Sequence, residues 1–151
     1  MRLTLFQPDI PQNVGAILRL AACLGAVVDL IEPCGFVVDD RRLRRAGMDY
    51  IDHVSLQRYE SWERYRQEKP PGRLVLLSSK ARVSYAEFVF RSDDSLLLGQ
   101  ESAGVPESVR DVCDAAVTIP LNPGLRSLNV ALAAAIVLAE ALRQTQGLPR
   151  R

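Results

Sequence analysis

Five residues carry more chemistry than their local setting requires: Asn13, Arg19, Glu101, Ser127 and Asn129. Ser127 and Asn129 belong to "IPLNPGLRSLNVALAAAIVLAEAL", residues 119–142, where a polar loop runs straight into an apolar helix. A turn and a cap would need fewer special residues than Asn122, Pro123, Gly124, Arg126, Ser127 and Asn129 supply. Free backbone N–H groups there, with Ser127 and Asn129, suit the polar edge of a planar ligand, and a helix N-terminus adds positive potential. Asn13 and Arg19 lie in "FQPDIPQNVGAILR". Two prolines stiffen that loop, Asn13 and Gly15 allow close approach to a ligand, and Arg19 projects from an otherwise apolar helix. Glu101 lies in "LGQESAGVPESV". There Gly99 ends a strand and leaves room beside the backbone, and Gly104 suits a left-handed turn. Each stretch also has a plainer reading: Asn13 as an N-cap, Arg19 as a snorkelling surface residue, Glu101 as a solvated loop acid.

Several chemistries lose support. No G-x-G-x-x-G or G-x-x-x-x-G-K-[ST] run occurs, and no G-x-S-x-G. A single histidine, His53, excludes mechanisms that need two imidazoles and reads as structural. Cys23, Cys34 and Cys113 are odd in number and lack C-x-x-C spacing, so neither a disulfide framework nor a metal site is expected. The charge is +1, so any nucleic-acid contact must rest on local patches. With 48% hydrophobic and 25% charged residues, the 151-residue chain reads as one globular domain, 1–151. The N-terminus lacks an apolar signal core, and the apolar run Val130 to Ala139 is shorter than a membrane span, so a cytoplasmic protein is expected.

These residues need a scaffold. Short apolar runs at Arg2–Phe6, Ala26–Ile31, Arg73–Ser79, Ser95–Gly99 and Ala116–Pro120 read as buried strands, and "HVSLQ" as a weaker sixth. Helical patterns fall between them: "NVGAILRLAACLG" capped by Asn13 and stopped at Gly25, "DDRRLRRAG", "SWERYRQEK" as a polar surface helix, and "PESVRDVCD" with Pro at its first position. A last helix is expected from about Leu128 to Gln144. This alternation predicts an α/β fold, a mostly parallel sheet flanked by helices. Ligands of such sheets sit beside the carboxyl ends of the strands, where the three unusual loops fall.

Taken in order, "QPDIPQNVGAILR", "EPCGFVVDDRRLRRAGMDY", "LGQESAGVP" and "IPLNPGLRSLNVALAAAI" resemble the SPOUT-class (SpoU/TrmH-type) RNA 2′-O-ribose methyltransferases. The resemblance covers nearly the whole chain and is nearest to the small tRNA type acting on the wobble cytidine or uridine of leucine tRNAs. It departs at Ala16, where the family motif often has Asn, and in "VALAAAI", where Ser and Asn often follow. It implies an α/β knot with a C-terminal deep trefoil, a single catalytic domain without an accessory RNA-binding domain, and a homodimer. It also implies S-adenosyl-L-methionine as cofactor, tRNA as partner, and no metal.

Carried over by position, the resemblance assigns cofactor contacts to Leu77, Ser78, Gly99, Gln100, Glu101, Gly104, Ile119, Leu121, Ser127 and Leu128. It assigns activation of the ribose 2′-OH to Arg19. A guanidinium stays protonated at neutral pH, so Arg19 is better suited to pin a phosphate and stabilise the developing alkoxide. Asn13 and Asn129 would orient it, Glu101 would hold its charge in place, and Ser127 completes the catalytic set. Arg41, Arg42, Arg44, Arg45 and Arg126 are the candidate RNA contacts; the plainer reading of the first four is a solvated helix face. Alternatives are the same transfer on rRNA or another tRNA position, or a non-catalytic RNA- or S-adenosylmethionine-binding protein.

Overall fold

The computed structural model describes residues 1–39, 41 and 50–151. Seven strands form one sheet: β1 (Arg2–Phe6), β2 (Val27–Ile31), β3 (Ser55–Tyr59), β4 (Leu74–Leu77), β5 (Val83–Ser84), β6 (Ser95–Leu98) and β7 (Ala115–Thr118). Their order is β3-β2-β1-β6-β4-β7-β5, and every neighbouring pair is parallel. The α/β parallel architecture expected from the alternation is therefore the one observed. Five of the strands lie within a residue or two of the apolar runs; "HVSLQ" becomes the edge strand β3, and β5 is an addition.

Side chains alternate across the sheet, so each strand feeds two cores. Leu3, Leu5, Val28, Leu30, Leu96 and Leu98 face helices α1 (Pro11–Leu24) and α4 (Val130–Gln144). Phe6, Ile31, Leu74, Leu76 and Leu97 face the opposite layer, where α2 (Trp62–Glu68) and α3 (Glu107–Arg110) contribute Tyr65 and Val109. Each fully buried leucine is worth roughly 1.5–3 kcal/mol. Tyr65 corrects the picture of α2 as a purely polar helix: it is fully buried, with its ring edge-on to Tyr59 and stacked with Trp62. Burial pushes its phenol up to about 12.

An ion pair lies inside the sheet. Asp29 on β2 is completely buried and accepts from both Arg2 Nε at 2.8 Å and Nη2 at 2.6 Å, with Thr4 Oγ1 at 3.3 Å. The fork-to-carboxylate geometry satisfies a charge that would otherwise be expensive to bury.

The helix ends differ from expectation in two places. Asn13 is not the N-cap of α1: Ile10 occupies that position, and Pro11 opens the helix. Proline suits the first turn because its missing N–H needs no acceptor there. Pro106 caps α3 rather than starting it. Gly25 does stop α1, in the left-handed conformation at φ 75°. The "DDRRLRRAG" helix lies outside the described residues except for Asp39 and an exposed Arg41. No helix among the described residues is long and apolar enough to cross a membrane.

Candidate active site

A parallel sheet brings all its strand C-termini to one edge, and three loops meet there. The first leaves β1 through Gln7, whose φ of 43° is unusual for a side chain bearing a Cβ. This bend turns residues 8–10 across the sheet edge, where Gln7 N–H donates to Ile31 O at 2.9 Å and Gln100 Nε2 donates to Gln7 O at 3.0 Å. Because Pro11 opens α1, Asn13 falls in the first turn and its side chain is free to reach outward.

The loop after β6 folds back on itself. Gln100 and Gly104 exchange backbone hydrogen bonds of 2.9 and 2.8 Å, with Gly104 at φ 66°. A Cβ on Gly99 would come within 2.6 Å of the Gly104 carbonyl carbon. The Cβ direction of Gly99 is thus taken by Gly104 backbone, while Gly99 itself still lines the cleft. This closure turns Glu101 towards the first loop.

The third element is the start of α4. Asn129 caps it, its Oδ1 accepting from Ala131 N–H at 2.8 Å and Leu132 N–H at 3.3 Å. The cap leaves the amide nitrogen free, and Asn129 Nδ2 donates to Asn13 Oδ1 at 2.9 Å. Asn13 Nδ2 in turn donates to Glu101 Oε1 at 3.3 Å, and Asp9 N–H donates to Glu101 Oε2 at 3.2 Å. Ser102 Oγ donates to Asp9 Oδ2 at 2.5 Å. One hydrogen-bonded line therefore joins three loops that are remote in sequence.

Two carboxyl groups share this line. Burial, then the neighbouring Asp9, holds Glu101 above the usual glutamate range. Hydrogen bonds from Glu101 and Ser102 hold Asp9 below the usual aspartate range. The two shifts run in opposite directions because the carboxyls face each other, so ionising one makes ionising the other more costly. Gly35 packs against Asp9 so closely that a Cβ there would lie 2.6 Å from Asp9 Cβ.

Beside the line opens a cleft of about 560 Å³. Leu77, Ser78, Gly99, Gln100, Glu101, Gly104, Ile119, Leu121, Ser127 and Leu128 all line it, as do Asn13 and Asn129. Leu76, Leu98, Val117 and Ala133 give it an apolar floor. Ser127, Arg126 and Leu128 sit on the exposed loop before α4, with Gly124 at φ 85° making its turn.

Arg19 stands apart from this cluster. Its guanidinium carbon lies 4.8 Å from the centre of the Tyr50 ring, a cation–π contact, and it makes no ion pair with Glu101. Helix geometry explains the separation: six residues along an α-helix is about 240° of rotation, so Asn13 and Arg19 face different sides. Arg19 shares the exposed face of α1 with Gln12, Ala16 and Cys23. Arg42, Arg44 and Arg45 lie outside the described residues, while Arg41 and Arg126 are exposed. No gathering of three or more His, Cys, Asp or Glu forms a metal site among the described residues. Burial pushes the thiols of Cys34 and Cys113 up to about 12 and about 11, as inert cysteines require.

Sequence reasoning passed over Gln7, Asp9 and Ser102. The signal was present for Asp9, an acid held between Pro8 and Pro11 at the start of a functional loop. Its partners, however, lie more than 90 residues away.

Residues 1–139 match the SpoU rRNA Methylase family. A Beijerinckia indica protein named tRNA (cytidine(34)-2′-O)-methyltransferase is 59% identical over 150 residues, which span 98% of this chain and 94% of that protein. The Escherichia coli K12 protein of the same name is 36% identical over 95% of this chain and 93% of its own length. Among solved structures, one described as giving insights into 2-OH methylation of C/U34 on tRNA superposes with a TM-score of 0.88, at 41% identity over 95% of this chain and 94% of that one. The SpoU methyltransferase AviRb of Streptomyces viridochromogenes, in complex with AdoMet, has a TM-score of 0.81 at 30% identity over 95% of this chain and 60% of that one. With a family match over residues 1–139 and identity of this extent over nearly the whole chain, the chain belongs to the SpoU rRNA methylase family.

Proposed function

We propose that this protein transfers a methyl group from S-adenosylmethionine to the ribose 2′-OH of the wobble nucleotide, position 34, of tRNA, with leucine isoacceptors as its substrates. The observation that carries the reading is the Asn129–Asn13–Glu101 line at the mouth of the cleft. A mere ligand-binding module would have no need to tie three loops together with amide and carboxyl groups facing one opening. The names of its relatives support position 34 as the target.

The residues present fit the cofactor. The cleft volume lies within the roughly 300–1,000 Å³ common for small-molecule sites. Its apolar floor suits a flat base, and its rim carries Ser78, Gln100 and Ser127 for polar groups. When bound, S-adenosylmethionine supplies an electrophilic methyl group. Asn13 and Asn129 hold each other and leave Glu101 fixed at the rim, so the protein presents one rigid polar edge to the ribose. Such positioning is a large part of what a methyl transfer requires. Arg19 keeps its charge at neutral pH but stands away from the cleft of its own chain. It would hold a phosphate and stabilise negative charge on the 2′ oxygen only where a second copy brings its face of α1 to another cleft.

The reading includes a homodimer of a single 1–151 domain working in the cytoplasm, with the C-terminal segment threaded as the family's trefoil. Support for the dimer comes from α4, which packs beside α1 and exposes Leu132 (59%) and Ile136 (37%) one turn apart. A second copy covering them would also bury Ala16 and Cys23 on the neighbouring helix and bring Arg19 to the joint.

The test is methylation of unmodified leucine tRNAs and of ribosomal RNA with labelled cofactor, followed by nucleoside mapping. Label on the ribose of nucleotide 34 is the expected result. Label only on ribosomal RNA, or none despite cofactor binding, overturns it.

A further inference from the structure

A second, smaller cavity of about 230 Å³ adjoins the cleft, and cations dominate its wall. Lys80 and Arg82 come from the loop after β4, and Arg110 comes from the end of α3. Leu76 and Ala116 form its floor; Leu76, Ser78, Lys80 and Arg110 are shared with the larger cleft, and Arg82 lines only the smaller cavity. The loop is built to present this group: Ser78 N–H is tied to Val117 O at 3.0 Å, and Ser78 Oγ accepts from Lys80 N–H at 3.2 Å. A tight turn then follows, with Ala81 N–H on Ser78 O at 3.2 Å.

No acidic side chain lines the cavity, and none of the three cationic side chains has an ion-pair or hydrogen-bond partner among the described residues. Three exposed arginines elsewhere do pair with acids, Arg58 with Glu32, Arg64 with Glu68 and Arg143 with Glu140. Glu107 and Asp111 lie on or next to the same short helix as Arg110 and still do not pair with it. Three like charges around one small cavity repel each other, and in a chain of net charge +1 this is not a by-product of general basicity. An anion would relieve that repulsion. Its size and its place beside the cleft suit phosphate groups of a polynucleotide whose target ribose enters the cleft.

We propose that Lys80, Arg82 and Arg110 form a phosphate-binding subsite that holds the RNA backbone next to the reacting nucleotide. This rests on the functional reading above, since it presumes an RNA substrate at the cleft. Three cations exceed what the single carboxylate of a bound amino-acid moiety requires, so RNA is the favoured occupant.

The test compares wild type with Lys80→Gln, Arg82→Gln, Arg110→Gln and the triple variant, all in exposed positions and checked for unchanged melting. Binding of an unmodified leucine tRNA transcript and of its isolated anticodon stem-loop is measured across salt concentrations, and S-adenosylmethionine affinity is measured separately without RNA. Removing one phosphate-binding cation should flatten the log–log salt slope by about 0.7–0.9. The triple variant should bind RNA at least tenfold more weakly at low salt, and Arg82→Gln, the one change outside the larger cleft, should weaken RNA binding with cofactor affinity within about twofold of wild type. An unchanged slope overturns the subsite, as does a wild type that binds neither RNA. A drop in cofactor affinity with the RNA slope intact overturns it in favour of a contact to the cofactor's carboxylate. Label mapping away from nucleotide 34 in the methylation assay would sink the functional reading while leaving these slopes to decide the subsite.

Discussion

Asn129 Nδ2 donates a hydrogen bond of 2.9 Å to Asn13 Oδ1, joining residues 116 positions apart while Asn129 Oδ1 caps α4. One side chain thus serves fold and site together, and its partner serves the site alone. Asn129→Ala should cost about 0.5–2 kcal/mol of stability through removal of the cap. Asn13→Ala, which removes no cap, should leave the melting temperature nearly unchanged. Both should lower kcat, and the double variant should lose little more than the worse single one, because the pair acts as a unit. Additive losses in kcat would show that the two amides act separately.

Asp9 and Glu101 make the site sensitive to pH in a defined direction. Glu101 binds its proton more tightly in the folded chain than in the unfolded one. Over the window above the ordinary glutamate value of 4.5, the folded state therefore holds more protons, and this group's contribution to stability falls as pH rises. Asp9 has the opposite sign: its contribution is present above the ordinary aspartate value of 3.8 and is lost as pH falls through its lowered folded value. Asp9→Asn removes the negative neighbour, so Glu101 should titrate lower, as followed by carboxyl-carbon NMR. The variant should also gain in melting temperature relative to wild type as pH is raised from about 4 to about 7. A Glu101 midpoint that does not move would mean burial alone sets it.

Arg19 is held over Tyr50 and lines no part of the cleft, so its contribution to turnover should separate cleanly from cofactor binding. Arg19→Ala should reduce kcat by roughly 10²–10³, the scale of removing one preorganised electrostatic donor, with S-adenosylmethionine affinity nearly intact. Arg19→Lys should recover little, because an ammonium cannot reproduce the planar stack. Loss of cofactor affinity in Arg19→Ala would reassign it to a structural role.

What the sequence made legible follows from how far each interaction reaches along the chain. Strands β1, β2, β4, β6 and β7 are readable because a parallel sheet buried on both faces writes continuous apolar runs such as "LVLL" and "SLLL". The two-residue β5 writes no run at all. Asn13 is a favoured capping residue, yet Pro11 had already set the helix start, so a local rule pointed to the wrong duty for the right residue. Asp9 and Ser102 carry no pattern of their own, since their meeting depends on the return of the chain after β6. Lys80, Arg82 and Arg110 escaped notice for the same reason: two elements 28 residues apart bring them together.

Gln144 offers a last test, of how α4 is anchored. Its Oε1 accepts from Phe90 N–H at 2.9 Å and its Nε2 donates to Phe88 O at 2.9 Å, so one amide imitates a strand neighbour for the 88–90 segment. Nε2 also reaches Glu140 Oε1 at 3.0 Å, and with Arg143 beside it that carboxyl is held down at about 2. Gln144→Ala would leave a backbone donor and acceptor without partners in a partly buried place, at a cost of about 1–3 kcal/mol. Gln144→Glu would keep the acceptor and lose the donor, and it would add a second negative charge beside Glu140. It should therefore destabilise more than Ala at neutral pH and less in acid, where the new carboxyl can donate. Denaturant unfolding of both variants at two pH values reads this order. Equal losses at both pH values would mean that packing of Phe88 and Phe90, whose rings meet edge-on at 4.8 Å, holds the segment without the amide.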